Sequence, residues 1–210
     1  MRRILFVTGT DTGAGKTVLT VLLARHLRAQ DVNAAALKPI CSGGRGDARK
    51  IYGAINGVLS LDEINPWHFK AAIAPSLAAR REGKKLKLPQ VVAHARAMQK
   101  RFEVLLMEGA GGLLSPLGDK FNSRDLILQL DAIPIIVAPN RLGVVNHALL
   151  TLDALPANFR ARARVVLFPF GKPDASAKSN AGLLAECFDA KRIFTAGVPE
   201  FAGKLFEGLL

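Results

Sequence analysis

Short uninterrupted apolar runs recur along the chain and alternate with longer stretches in which apolar side chains return every third or fourth position. Ile4-Leu5-Phe6-Val7, Val104-Leu105-Leu106-Met107 and Ile135-Ile136-Val137-Ala138 have no polar alternation, as strands buried on both faces require. The pattern predicts strands at about 3–8, 33–38, 103–108, 133–138, 164–168 and 192–196. It predicts helices at about 16–29, 47–55, 74–82, 89–101, 122–130, 145–154 and 179–188. Such alternation implies βα units, hence an α/β fold with a mostly parallel sheet and helices on both faces.

Half of the 210 residues are apolar, enough for one well-filled α/β domain, and no linker, internal repeat or low-complexity segment divides it. A single domain over 1–210 is expected. No apolar run approaches a membrane span, and Met1-Arg2-Arg3 leads into a strand too short for a signal peptide core. Cys41 and Cys187 lack metal-type spacing, which favours a reduced, cytoplasmic location. The net charge of +12 raises the question of a nucleic-acid partner. Its basic residues are scattered, as in Arg80, Arg81, Lys84, Lys85 and Lys87, without the interleaved aromatics of a base-stacking surface. A solvated basic surface, with a few lysines kept for anionic substrates, is the better reading.

The first predicted strand runs into Gly9-Thr10-Asp11-Thr12-Gly13-Ala14-Gly15-Lys16-Thr17, with Val18 opening the helix behind it. Glycines let successive backbone N–H groups curl around a polyphosphate, and the helix adds its unpaired donors and positive dipole end. Lys16 then supplies a cation for the terminal phosphates, and the Thr17 hydroxyl suits Mg²⁺. The spacing departs from the usual P-loop pattern, since Thr10 stands where the first glycine belongs. The strand–turn–helix setting nevertheless places this as a P-loop NTPase-type domain.

In parallel sheets the ligand crevice lies beyond the carboxyl ends of the strands, so polar residues that close apolar runs are candidates. Lys38 closes the second run and is followed by Pro39 and the turn Ser42-Gly43-Gly44; its alternative is a lysine snorkelling at a strand end. Glu108 closes the third and leads into Gly109-Ala110-Gly111-Gly112, where a carboxylate could hold Mg²⁺ or merely form a cap or ion pair. Asp47 reads as a helix N-cap, or as a carboxylate that could reach a metal, or both. The helix start Gly143-Val144-Val145-Asn146-His147 offers N–H groups to a carboxylate, or is a plain helix start.

Together these pieces resemble the dethiobiotin synthetase family of biotin biosynthesis over most of the chain. The resemblance rests on Val7-Thr8-Gly9-Thr10-Asp11-Thr12 with Gly15-Lys16-Thr17, Lys38-Pro39 with Ser42-Gly43, Asn65-Pro66 with Phe69, Pro75 and Glu82-Gly83, Glu108-Gly109-Ala110-Gly111-Gly112 with Pro116-Leu117, and Leu142-Gly143 with Asn146-His147-Ala148-Leu149-Leu150-Thr151. It implies an ATP- and Mg²⁺-dependent ring closure that joins CO₂ to 7,8-diaminopelargonate through an N-carbamate and a carbamic-phosphoric anhydride. It further implies Lys16, Lys38 and Thr12 as catalytic residues and Thr17, Asp47 and Glu108 as metal ligands. Thr10, Asp11, Gly13, Ala14, Gly15, Lys16, Thr17 and Val18 would hold the nucleotide. Thr12, Lys38, Ser42, Gly109, Ala110 and Gly111 would line the substrate, and Gly143, Val144, Val145 and Asn146 would receive its carboxylate from the neighbouring subunit of a homodimer.

Two departures stand out. Gly13 replaces a frequent glutamate of the family, and Phe168-Pro169-Phe170-Gly171-Lys172-Pro173 lacks the asparagine that reads adenine in the family, which leaves base preference open. The competing reading is a partition or septum-placement ATPase acting on DNA or membrane, but Asp11 occupies the position where that class has its extra lysine. A relative that binds nucleotide without turnover is disfavoured by the joint presence of Lys16, Thr17, Lys38, Asp47 and Glu108.

Overall fold

The computed structural model of the chain describes residues 2–169, 171–197 and 201–207. Met1 and Phe170, considered above, lie outside the described residues. In chain order, β1 (Arg3–Gly9) and α1 (Lys16–Ala29) are followed by β2 (Ala34–Leu37), β3 (Ile40–Ser42), α2 (Gly46–Ala54), α3 (Leu61–Ile64) and β4 (Trp67–Phe69). Next come α4 (Pro75–Arg81), α5 (Leu88–Gln99), β5 (Val104–Glu108), α6 (Ser123–Leu130), β6 (Ile133–Pro139) and α7 (Val144–Asp153). The chain continues through α8 (Ala157–Arg160), β7 (Arg164–Phe168), α9 (Asn180–Ala185), β8 (Ile193–Thr195) and α10 (Phe201–Glu207).

Six strands form one sheet in the order β2-β5-β1-β6-β7-β8, every pairing parallel. The six strands expected from the apolar runs are these six. The central strands are buried, as runs without polar alternation require, β2 and β5 at every position, whereas β8 at the sheet edge is half-buried throughout. The crossover from β1 to β2 passes over β5 in one direction, and that from β5 to β6 passes over β1 in the other. Right-handed connections therefore put α1 and α6 on opposite faces. Accordingly α1 packs with α2 and α10, while α5 packs with α6 and α7 with α9.

Local chemistry sets several helix starts. Asn122 accepts from the Asp125 N–H while Asp125 accepts from that of Asn122, a reciprocal cap that opens α6. Ser60 and Glu63 do the same for α3. By contrast α1 begins behind Gly15 with no side-chain cap, leaving its first N–H groups to the loop in front. Asp47 is not the N-cap of α2: the helix starts one residue earlier, at Gly46, behind Arg45. As a second helical residue Asp47 still favours the positive dipole end, and its carboxylate is left to face Lys38.

Two strands, β3 and β4, were not legible in the apolar pattern. They pair in parallel as a separate two-stranded sheet, Ile40 with Trp67 and Ser42 with Phe69. Three residues are too few to set a period, and the pairing depends on a segment far along the chain. The short helices α3 and α8, and α10, were likewise not predicted. No helix among the described residues is long and apolar enough to cross a membrane.

Candidate active site

Register alone brings three chain segments together. Val7 of β1 pairs with Glu108, the last residue of β5, and Leu37 of β2 pairs with Met107. Lys38 therefore stands beside Glu108, and the loop leaving β1 lies on the other side. Lys38 Nζ is 2.6 Å from Glu108 Oε1 and also donates to the Gly109 carbonyl at 2.9 Å. The same Oε1 accepts from the Thr17 hydroxyl at 2.7 Å. One carboxylate thus joins the ends of β2 and β5 to the first turn of α1. Lys38 and Glu108 are both buried, a placement that is tolerated only when paired charges are also hydrogen-bonded.

Lys16 folds back over its own loop, its ammonium donating to the Asp11 carbonyl at 2.8 Å. Burial foremost, and then the neighbouring Lys38 ammonium, lower its pKa from 10.5 to about 8, against the opposing pull of Glu108, Asp11 and Asp47. Of the two buried ammonium groups that meet here, Lys38 is paired with Glu108, whereas Lys16 hydrogen-bonds to a neutral carbonyl beside the open space and is the cation better placed to take up an incoming anion.

That space is a cleft of about 630 Å³. Of the expected phosphate-loop residues, Thr12, Gly13, Gly15, Lys16, Thr17 and Val18 line it; Thr10, Asp11 and Ala14 do not. Ala14 is buried, the Thr10 N–H bonds to Val137 in β6, and Asp11 acts through its carbonyl on Lys16 and its carboxylate on the Thr12 N–H. Gly15 has φ +100°, and a Cβ there would lie 2.8 Å from the Phe168 ring, so this glycine is required both by its backbone angle and by close packing. Lys38, Ser42, Asp47, Glu108, Ala110 and Gly111 complete the expected lining. Gly109 contributes its carbonyl to Lys38 from behind.

Gly143, Val144, Val145 and Asn146 are not in this cleft. Gly143 precedes α7 with φ 89°, no side chain caps the helix, and Asn146 and His147 are exposed, with Leu142 and Leu150 beside them 80% and 62% exposed. The helix start is presented outward rather than toward the Lys16 and Lys38 of its own chain.

Sequence reasoning missed Cys41, Lys50, Ser115 and the segment 72–74, all in the lining. Lys50 carried a usable signal, since it follows Asp47 by one helical turn. The others sit in loops whose position only the fold sets. Beyond β6, outside the cleft lining, the buried amides of Asn140 and Asn180 are engaged internally, Asn180 donating to Asn140 and Asn140 to the Ala177 carbonyl.

The oxygen donors of Thr17, Asp47 and Glu108 share the cleft, and Glu108 Oε2 is buried without a hydrogen-bond partner. Hard oxygen donors with an unsatisfied carboxylate oxygen fit Mg²⁺. No group of three or more His, Cys, Asp or Glu among the described residues could hold a metal. This donor set therefore suits a cation held jointly with phosphate oxygens, which is the habit of Mg²⁺.

A family model described as an AAA domain matches residues 3–185. In three dimensions the chain is similar to a ParA family ATPase from Chlorobium tepidum, with a TM-score of 0.58 and 13% identity over 99% of this chain and 89% of that one. It is similar also to a putative plasmid partition protein from Borrelia burgdorferi, with a TM-score of 0.60 and 10% identity over 99% and 98% of the two chains. At such identity the likeness concerns the P-loop fold alone. Sequence relatives are more specific. The chain is 42% identical over 188 residues, 87% of its length and 84% of the relative's, to the ATP-dependent dethiobiotin synthetase BioD of Anaeromyxobacter dehalogenans. It is 36% identical over 152 residues, 72% of each chain, to the enzyme of the same name from Methanococcus vannielii. With the P-loop, the Lys38–Glu108 pair and this extent of identity, the chain belongs to the family of ATP-dependent dethiobiotin synthetases, ligases of biotin biosynthesis.

Proposed function

We propose that the protein carboxylates 7,8-diaminopelargonate with CO₂ and closes the ring to dethiobiotin at the expense of ATP. The observation that carries this reading is the convergence of Lys16, Lys38, Thr17 and Glu108 from three chain segments on one cleft. One amine of the substrate adds to CO₂ and loses a proton to give a carbamate. A carbamate oxygen attacks the γ-phosphorus, ADP departs, and a carbamic-phosphoric anhydride results. The second amine then attacks the anhydride carbonyl, the C–O bond to phosphate breaks, and the ring closes.

The obstacle in the middle step is the approach of two anions. Lys16 and Lys38 answer it by holding positive charge where negative charge accumulates, in a buried setting where electrostatic stabilisation is strong. Thr12 and Ser42 border the same space from opposite loops and position the diamine. Ser42 is itself held by the bond of its hydroxyl to the Ile73 carbonyl at 2.6 Å. Thr17, Asp47 and Glu108 would hold Mg²⁺, which when bound supplies charge neutralisation on the phosphates. The outward helix start at 143–146 fits the receipt of a substrate carboxylate in a second copy of the chain, and exposed Leu142 and Leu150 fit burial between copies.

Incubation of the protein with the diamine, Mg²⁺, labelled bicarbonate and each of the four nucleoside triphosphates tests substrate and base preference together. Labelled dethiobiotin with stoichiometric nucleoside diphosphate is the expected result. Triphosphate hydrolysis without incorporation of label, enhanced by duplex DNA or vesicles, would instead favour a nucleotide-driven switch.

A further inference from the structure

Asn65 has no exposed surface, yet its side chain makes contacts in two directions. Its amide nitrogen donates to the Lys38 carbonyl at 2.7 Å and to the Pro39 carbonyl at 3.4 Å. Its amide oxygen accepts from Arg45 Nε at 3.2 Å and from the Cys41 thiol at 3.1 Å. Arg45 also donates through Nη2 to the carbonyls of Leu61, at 2.5 Å, and of Asn65 itself, at 3.1 Å. These partners fix the orientation of the amide, because its NH₂ faces only carbonyls and its oxygen faces only donors.

The two directions lead along separate chain segments to two residues that line the cleft, Lys38 and Asp47. Lys38 and Pro39 form the corner between β2 and β3, and the Lys38 side chain reaches Glu108. Arg45 stands immediately before α2, whose second residue is Asp47. Pro39 has no N–H, so this corner cannot be held by an ordinary backbone ladder; the Lys38 N–H goes to the Ile64 carbonyl and the Pro39 carbonyl accepts from the Trp67 N–H. Asn65 adds bonds that set the corner against the loop 43–46. The amide supplies two donors and an acceptor at once: Asp offers no donor to the carbonyls, a hydroxyl offers one donor on a shorter arm, and an apolar residue leaves buried polar groups unpaired on both sides.

We infer that Asn65 is a positioning residue which, through bonds to the Lys38 and Pro39 carbonyls and to Arg45, sets the Lys38 ammonium and the Asp47 carboxylate, 3.7 Å apart, relative to one another within the cleft. The inference rests on the reaction proposed above for the roles of those two groups. The geometric part, that Asn65 holds Lys38 in place, stands apart from the reaction and is tested apart from it.

The test uses the full-length protein and the variants Asn65→Asp, which replaces the two amide hydrogens by acceptor oxygen at nearly unchanged shape, and Asn65→Ser, which keeps one donor. Brief amine acylation followed by peptide mass spectrometry reads the accessibility of Lys38 against Lys16 and Lys50 in the same molecule. In the parent protein Lys38 reacts slowest, held by Glu108 and Gly109; in Asn65→Asp its labelling rises several-fold while that of Lys16 is unchanged. In the same preparations kcat for dethiobiotin formation falls on the order of 100-fold, since small misplacement of a reacting-centre group has effects of this size, while the dissociation constant of the nucleotide, held by the separate P-loop, stays within about threefold. Asn65→Ser is expected to lie between the two. Unchanged Lys38 labelling in folded Asn65→Asp overturns the inference. So does a uniform rise in labelling of all three lysines, or failure of both variants to fold, because Asn65 would then serve the fold in general. Absence of turnover in the parent protein defeats the proposed reaction and leaves the labelling result to decide the placement of Lys38.

Discussion

Lys38 and Glu108 form a buried ion pair, with 2.6 Å between Nζ and Oε1, that bridges the ends of two adjacent parallel strands. Neither residue has another fully charged partner as close; Asp47 is 3.7 Å from Lys38, and Thr17 and Gly109 contribute neutral groups. The pair gives the cleft a cation held rigidly beside a carboxylate whose second oxygen is unsatisfied. The cleft is thus organised before any ligand arrives, and that organisation keeps the reorganisation required during reaction small.

Replacement of one member leaves the other charge buried. Lys38→Met and Glu108→Gln are each expected to destabilise the protein by about 3–5 kcal/mol and to abolish product formation. The double variant Lys38→Met/Glu108→Gln should recover most of the stability and none of the activity. Urea denaturation with product assays on all four proteins checks both halves. Near-normal turnover in either single variant removes that residue from the chemistry.

Lys16 makes stability and ligand binding depend on pH in opposite directions. The folded protein releases this proton near pH 8, whereas the unfolded chain keeps it to about 10.5, so the folded state binds fewer protons between those values. Its contribution to stability therefore increases as pH rises through that window, by on the order of 3 kcal/mol, and below pH 8 the penalty for the buried ammonium is present in full. A bound polyphosphate restores the charge, so nucleotide affinity should weaken above pH 8 and binding there should take up a proton. Calorimetric titrations in buffers of different ionisation enthalpy measure that uptake. Lys16→Met should stabilise the nucleotide-free protein at pH 7, flatten the stability slope above pH 8 and eliminate triphosphate binding.

Gly15→Ala combines two faults, a positive φ and a Cβ against the Phe168 ring. A loss of about 1–3 kcal/mol is expected from the backbone angle alone, together with weakened nucleotide binding. Phe168→Ala relieves the contact but not the angle, so Gly15→Ala/Phe168→Ala should remain defective. Full recovery of nucleotide affinity in the double variant would assign the role of Gly15 to packing alone.

If the helix start at 143–146 serves the cleft of a second copy, two inactive variants should complement each other. Lys38→Met and Gly143→Val, unfolded together and refolded at equal concentration, form mixed dimers in which one of the two sites has every part intact. With random pairing about a quarter of the parent activity should return. Sites confined to single chains would give none, and Leu142→Asp, which places charge on the exposed apolar surface, should weaken both dimerisation and turnover.

Much of this arrangement was legible in the order of residues, for reasons that are local. An apolar run of four or five residues without alternation, bounded by turn residues, suits a strand covered on both faces, and the glycines with Lys16 and Thr17 can serve a phosphate wherever the strand stands. The polar residues that close such runs were therefore candidates before their neighbours were known. Asn65 was visible only as part of a motif, because its partners are Lys38, Pro39, Cys41 and Arg45, all more than one turn of any element away. Asp47 was misjudged as a cap because the exact start of a helix depends on where the preceding loop is tied down, here by Arg45 to Asn65 and Leu61.

The sequence by itself determined the six strands, the phosphate loop with Lys16 behind β1, and the two strand ends that carry Lys38 and Glu108, since each follows from short-range sterics and the periodicity of burial. Tertiary structure decided which strand ends are neighbours. Only the order β2-β5-β1, set by right-handed crossovers and the packing of helices on opposite faces, puts Lys38 opposite Glu108 and the loop of Thr17 beside both.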